Sequence, residues 1–66
     1  MEILSDKIRE LRVERAMSQQ DLANLLYVDR TTLAGYESGK REPSLHILIQ
    51  IADIFDVSVD YLLGRD

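Results

Sequence analysis

The sequence of 66 residues contains no cysteine and no tryptophan, and only a single proline and a single histidine. The absence of cysteine excludes disulfide bonds and thiolate metal sites, and His46 alone cannot form a zinc site. We therefore expect neither a metal nor another cofactor. The sequence also lacks a glycine-rich phosphate loop and any nucleophile–histidine pair at a spacing that supports catalysis. We therefore expect that the chain is not an enzyme.

Long apolar runs are missing as well. No stretch approaches the roughly 20 apolar residues that a transmembrane helix needs. The first ten residues, MEILSDKIRE, carry charges where a signal peptide would need an apolar run. The cytoplasm is the expected compartment, and no association with membranes is expected.

The chain is long enough for one small domain, so residues 1–66 are predicted to form a single domain. Its net charge of −4 weighs against a nucleic-acid partner, because proteins that bind nucleic acids usually carry basic patches. However, residues 44–66 contain four aspartates and one arginine, which concentrates the negative charge in the last third. The C-terminal sequence VDYLLGRD suits either a whole protein or the N-terminal domain of a longer one.

Apolar residues recur at helical spacing along the whole chain, and no segment alternates as a half-buried strand does. Polar residues typical of helix N-caps divide this pattern into five short helices. The predicted N-caps are Ser5, Ser18, Asp29, Ser44 and Ser58, with Asp21 completing a capping box after Ser18 and Gly39 ending the third helix. The sequence therefore predicts an all-α fold of five short helices.

The connection between the second and third helices is very short. Only Tyr27 and Val28 separate the predicted end of helix two at Leu26 from the cap of helix three at Asp29. Such a connection requires a steep crossing, and Ala23 is small where the two helices must approach closely. This spacing predicts a helix-turn-helix, although any compact helical domain can contain a tight helical corner.

Three stretches then carry a resemblance that covers residues 8–63: IRELRVERAMSQQDLA, RTTLAGYESGKREPSL and IADIFDVSVDYLL. They resemble the Cro/repressor-type helix-turn-helix domains, the xenobiotic-response-element class of bacterial and phage transcriptional regulators. The resemblance implies a lambda-repressor-like fold whose third helix enters the major groove of double-stranded DNA. It also implies a sequence-specific regulator, expected to be a repressor that binds a near-palindromic operator as a homodimer.

The resemblance assigns base contacts to the first part of helix three. Arg30 is the strongest candidate, because a guanidinium can donate to guanine O6 and N7 together. A solvated surface arginine and a capping threonine are the alternative interpretations of Arg30 and Thr31. Gly35 has no side chain, so the base contact implied for this position is either missing or replaced by a close approach of the backbone to the DNA. The residues implied to contact bases are Arg30, Thr31, Ala34 and Gly35.

Other residues match positions that bind phosphate or hold the third helix in place. Phosphate contacts are implied for Gln19 at the start of helix two and for Ser38, Lys40 and Arg41 after helix three. For the last two residues, a solvated loop is the alternative. Arg12 and Glu37 match a partly buried salt bridge between helices one and three, which would be structural.

The sequence departs from the family pattern at two helix ends. Tyr27 stands in the turn where the family usually has glycine, and Asp56 replaces a common glycine after helix four. A left-handed backbone at Tyr27 would cost roughly 1–2 kcal/mol, whereas aspartate tolerates this conformation better. The sequence alone therefore does not fix the geometry of the turn at Tyr27.

Helix four is apolar on two sides. Leu45, Leu48, Ala52 and Phe55 form the predicted core stripe, and a second stripe consists of Ile47, Ile51 and Ile54. Either helix five covers the second stripe or it forms a homodimer interface. The alternative function is an antitoxin or other protein-interaction module with weak DNA affinity, which would have a protein partner. The net charge and Gly35 favour that alternative.

Overall fold

The computed structural model describes residues 2–65. Its helices are α1 (Glu2–Glu14), α2 (Gln19–Leu26), α3 (Arg30–Ser38), α4 (Leu45–Phe55) and α5 (Val59–Leu62). The described residues contain no strand. The prediction of an all-α fold with five short helices is confirmed. None of the helices in residues 2–65 combines the length and the apolar character that crossing a bilayer demands.

Every helix contributes to one shared core. Each supplies a side chain with 0% exposure, namely Ile8, Leu22, Leu33, Ile51 and Leu62 in chain order. Full burial of an aliphatic side chain of this size contributes about 1.5–3 kcal/mol. α3 packs against both α1 and α2, and α5 packs against α1 and α4. The third helix is therefore held by the first two, while the chain's last helix closes the other side.

Three serines cap helices as the sequence predicts. The hydroxyl groups of Ser18, Ser44 and Ser58 each accept a hydrogen bond from the backbone N–H three residues later, at 3.0, 3.2 and 2.9 Å. Each such cap contributes about 1 kcal/mol. These bonds fix where α2, α4 and α5 begin.

The other two predicted caps differ. Asp29 occupies the N-cap position of α3, but its side chain makes no capping hydrogen bond. The prediction that Ser5 begins the first helix is wrong, because α1 already runs from Glu2 and Ser5 is buried inside it. A serine inside a helix carries the same local signal as a serine cap, and only the packing of α1 distinguishes them.

Two helix ends share one left-handed geometry. Tyr27 has φ 58° and ψ 40°, and Asp56 has φ 55° and ψ 46°. The next residue in each case, Val28 or Val57, donates its N–H to the carbonyl five residues earlier at 3.0 Å. The left-handed conformation considered for Tyr27 is therefore present. Ala16, with φ 54°, is a third such position that sequence analysis did not identify.

The faces of α4 differ from the predicted stripes. Leu45 is 69% exposed, so its assignment to the core is wrong. It is the first residue of α4 and lies one turn before the first buried residue, Leu48, so it projects beyond the core. Ile51 is fully buried within the chain, which removes it from the predicted interface face. The exposed isoleucine of this helix is Ile49.

Candidate nucleic-acid interface

α3 has one buried side and one accessible side. Leu33 and Tyr36 are 0% and 8% exposed and anchor the helix in the core. Arg30 and Thr31, in its first turn, are exposed. α3 therefore presents its first turn to solvent, while its apolar residues fix its orientation against α1 and α2.

A surface depression lies along the accessible side of α3, and we call it the α3 depression. It is lined by Thr31, Ala34, Gly35, Ser38, Lys40 and Arg41. The structure thus brings together three of the residues expected at bases and three of those expected at phosphates. Arg30 and Gln19 are not part of its lining. Because helix residues and loop residues share this surface, one bound partner could contact both.

Beneath α3, Arg12 and Glu37 form a bidentate ion pair. The Arg12 Nε donates to Glu37 Oε2 at 2.7 Å, and Nη2 donates to Oε1 at 3.1 Å. The Arg12 Nη1 also donates to the Met17 carbonyl at 2.8 Å. The Glu37 side chain is only 4% exposed. Two parallel bonds to a buried carboxylate fix α3 relative to α1 more firmly than a single contact would.

Gln19 connects this buried ion pair with the exposed first turn of α3. The Gln19 Nε2 donates to Glu37 Oε1 at 3.2 Å, which leaves the Gln19 Oε1 on the side of Arg30. The Arg30 Nη1 donates to this oxygen at 3.4 Å, a long and therefore weak bond. Within residues 2–65, the second amide N–H of Gln19 and the other guanidinium N–H groups of Arg30 make no further hydrogen bond.

The start of α2 carries a fixed negative charge. The Ser18 backbone N–H donates to Asp21 Oδ2 at 2.9 Å, and the Ser18 hydroxyl accepts from the Asp21 N–H at 3.0 Å. The Ser18 N–H is the main cause that lowers the Asp21 pKa below its ordinary value of 3.8, and the Ser18 hydroxyl adds to it. This reciprocal capping box defines the helix start at which Gln19 lies.

The loop after α3 is ordered by Ser38. Its hydroxyl donates to the Gly35 carbonyl at 3.2 Å and accepts from the Lys40 N–H at 3.4 Å. Lys40 and Arg41 are exposed, and no ion pair within residues 2–65 involves either of them. Two cations are therefore held beside the α3 depression without an internal counterion.

The loop also returns onto α3 at Gly35. The Arg41 N–H donates to the Gly35 carbonyl at 3.2 Å. A Cβ atom added at Gly35 would lie 2.9 Å from Arg41 Cγ and 3.0 Å from Cδ. Sequence reasoning missed this contact. The available signal was a glycine inside a helix with a long basic residue in the next loop.

Comparison with known proteins places this geometry in a family. A family model described as helix-turn-helix matches residues 8–62. The HTH-type transcriptional regulator AnsR of Bacillus subtilis is 49% identical over 61 residues, which cover 92% of this chain and 53% of AnsR. The chain thus spans about half the length of the curated relatives it matches first. AnsR is named as a regulator of transcription and not as an enzyme.

Two solved structures share the fold. The P22 c2 repressor, determined in complex with a synthetic operator, superposes with a TM-score of 0.88 at 25% identity and 96% coverage of both chains. The restriction-modification controller protein C.AhdI of Aeromonas hydrophila gives 0.82 at 33% identity and 92% coverage of both. The expected lambda-repressor-like architecture is confirmed. With its matched residues, its α2–α3 corner and these relatives, the chain belongs to the helix-turn-helix family.

Proposed function

We propose that this chain is the sequence-specific DNA-binding part of a transcriptional regulator and that it binds double-stranded DNA through α3. The observation that carries the proposal is the accessible side of α3. It combines the exposed first turn, the α3 depression and cations that form no ion pair within residues 2–65, above a buried ion pair that fixes the helix. A rigidly held helix with free donors on its outer side is what reading a major groove requires.

Base contacts are assigned to the first turn and the side of α3 that follows it. Arg30 donates two N–H groups to guanine O6 and N7, because only its long bond to Gln19 must be given up. Thr31 bonds a base edge or contacts a thymine methyl group. The methyl group of Ala34, in the α3 depression, offers apolar contact to thymine.

Phosphate contacts surround this surface. Gln19 is the first residue of α2, where the backbone N–H groups that the Ser18–Asp21 capping box does not use favour an anion. Ser38 and Lys40 provide a second contact from the end of α3. The overall charge of −4 does not prevent this role, since binding depends on the charge that faces the DNA. Such contacts position the protein on the duplex without reading sequence.

We further propose that the regulator is a repressor that acts by occupying its operator as a homodimer. Leu45 and Ile49 are 69% and 45% exposed and lie four residues apart on α4, so they share one face. Half-buried Ile47 and Ile54 lie on the opposite side of the same helix and are not part of this face. A second copy covering this face would build a two-fold dimer. Its two α3 helices would then lie roughly 34 Å apart on a near-palindromic site.

The test of DNA reading is selection of bound sequences from a random duplex pool at physiological salt, run with the wild-type chain and with Arg30→Ala. We expect a near-palindromic motif that loses preference at one base pair of each half-site in the variant. Failure of the wild-type chain to enrich any motif contradicts the proposal. Isolation of a stable complex with another protein would then favour the interaction-module function.

The dimer is tested separately by replacing both Leu45 and Ile49 with serine. Sedimentation equilibrium should show a dimer for the wild-type chain and a monomer for the double variant. Val13→Ser is the matched control, because Val13 is also an exposed apolar residue, 60% accessible on α1. Equal effects of the two changes would argue against an α4 interface.

A further inference from the structure

Gly35 lies in the interior of α3, where glycine is disfavoured relative to alanine. Its backbone does not need the freedom of glycine. The described glycines with positive φ are Gly39 and Gly64, and Gly35 is not one of them. The property of glycine that the structure uses at this position is therefore the space that a side chain would fill.

The side chain of Arg41 fills that space. A Cβ atom at Gly35 would come within 2.9 Å of Arg41 Cγ and 3.0 Å of Cδ. Non-bonded carbon atoms do not come this close, so the Arg41 side chain would have to move. The backbone of the two residues is joined by the 3.2 Å hydrogen bond from the Arg41 N–H to the Gly35 carbonyl. The aliphatic part of Arg41 therefore rests directly on the backbone of α3.

The contact places Arg41 on the helix surface that faces the partner. Thr31 precedes Gly35 by four residues, so the two positions lie one above the other on the same helix face. Both residues line the α3 depression together with Ala34 and Arg41. The guanidinium, which begins just beyond Cδ, thus extends from the face that carries the proposed base contacts. Arg41 makes no ion pair with any described residue that would hold it elsewhere.

We infer that Arg41 is a specificity-determining residue that reads a base pair in the major groove, in place of the side chain that Gly35 lacks. This inference rests on the proposed function. The chemistry of the contact is that of arginine with guanine O6 and N7. Gly35 and Arg41 act as a matched pair: the glycine provides the space, and the arginine from the following loop supplies the donors.

The competing role for Arg41 is phosphate binding alone, as a neighbour of Lys40. The two roles differ in what substitution changes. Loss of a base contact relaxes preference at one base pair, whereas loss of a phosphate contact weakens all sequences alike and lowers the salt dependence. A bidentate arginine–guanine contact discriminates against the wrong base by roughly 5- to 150-fold.

The experiment is sequence selection from a random duplex pool with the wild-type chain, Arg41→Ala, Lys40→Ala and Gly35→Ala, followed by affinity measurement on the selected site. For Arg41→Ala we expect loss of preference at one base pair of each half-site, different from the pair that Arg30→Ala affects. Lys40→Ala should keep the motif and bind every sequence more weakly. Gly35→Ala should lose preference at the same base pair as Arg41→Ala, because the new methyl group displaces Arg41.

Two controls test whether the Gly35→Ala variant folds normally and whether it acts through Arg41. Gly35→Ala should melt at or above the wild-type temperature by circular dichroism, since alanine favours the helix. The Gly35→Ala/Arg41→Ala double variant should select the same motif as Arg41→Ala alone. A wild-type motif that Arg41→Ala retains, with uniformly weaker binding, overturns this inference and leaves the proposed function standing. If the wild-type chain selects no motif, both fail together.

Discussion

The buried ion pair of Arg12 and Glu37 and the exposed arginine at the start of α3, Arg30, use similar residues for different purposes. Arg12 makes three hydrogen bonds of 2.7–3.1 Å within the chain. Arg30, which is exposed, makes one long hydrogen bond of 3.4 Å within residues 2–65. A guanidinium whose donors are satisfied inside the protein has little left for a ligand. Burial and bonding, and not residue type, therefore separate structural arginines from those available to DNA.

Gln19 lies between the two groups and depends on both. Its amide donates to Glu37 of the buried pair and accepts from Arg30 of the exposed surface. The orientation of the amide is thus set from inside the protein. A substitution in the buried pair is therefore expected to weaken the proposed DNA contacts as well as the fold. Removal of an exposed contact is expected to leave the fold unchanged.

The largest expected effect is that of Arg12→Ala. It leaves the Glu37 carboxylate buried without its main partner, which typically costs 3–5 kcal/mol. Against a total stability of about 5–15 kcal/mol for such domains, much of the folded population is at risk. Urea unfolding followed by circular dichroism measures the loss. DNA binding should fall with it, because α3 loses its link to α1.

The matched control is Arg9→Ala on the same helix. Arg9 also pairs with a carboxylate, Asp6 at 3.2 Å, but both side chains are more than half exposed. Exposed pairs of this kind contribute about 0–1 kcal/mol. If the two arginine variants lost similar stability, the distinction drawn from burial would be wrong.

Arg30→Ala should separate binding from folding. We expect affinity for a selected DNA site to fall by about 1–3 kcal/mol, while unfolding free energy stays within roughly 0.5 kcal/mol of wild type. Fluorescence anisotropy with labelled duplex measures the first quantity, and urea unfolding the second. Arg9→Ala removes the same charge and serves again as control. A comparable affinity loss in both variants would indicate a general charge effect.

A third test concerns the turn between α2 and α3. Tyr27 is 91% exposed and adopts a left-handed conformation, so its side chain gains little from packing. Tyr27→Gly should raise the unfolding free energy by about 1 kcal/mol, because relief of about 1–2 kcal/mol of strain exceeds the added entropy of the unfolded chain. Asp56→Gly, at the same geometry, should gain less since aspartate tolerates this region. Thermal unfolding of both variants measures how much each glycine stabilises its helix end.

Features specified by neighbouring residues could be predicted from the sequence. The caps at Ser18, Ser44 and Ser58, the end of α3 at Gly39 and the short α2–α3 connection are all determined within a few residues. These local signals also define where α3 begins, but the candidate DNA-binding residues on it were assigned by the family resemblance. The register of the helix then decides which of its side chains face outward.

Features that depend on packing could not be predicted in this way. Periodicity shows that Leu45 and Leu48 share a face of α4, but not that the core ends between them. Ile51 follows the same spacing as Ile47 and Ile54 yet is fully enclosed. The contact of Arg41 with Gly35 requires the path of the intervening loop. Spacing defines faces, whereas neighbouring elements determine which parts of a face are covered.

The smallest expected effect is that of the capping box at the start of α2. Because hydrogen bonds from Ser18 lower the folded-state pKa of Asp21 below 3.8, its carboxylate stabilises the folded state at higher pH. This contribution is lost as pH falls below 3.8 through the lowered pKa. Asp21→Asn should therefore be less stable than wild type at neutral pH, and the difference should shrink toward zero in strong acid.

Ser18→Ala provides the reference for this pH dependence. It removes a hydroxyl that accepts from the Asp21 N–H, and this bond involves no titrating proton. The loss of about 1 kcal/mol expected for an N-cap serine should persist across the same acidic range. Urea unfolding of both variants from neutral to acidic pH separates the charged half of the capping box from the neutral half. A constant deficit for Asp21→Asn would show that the Asp21 charge contributes nothing to the stability of α2.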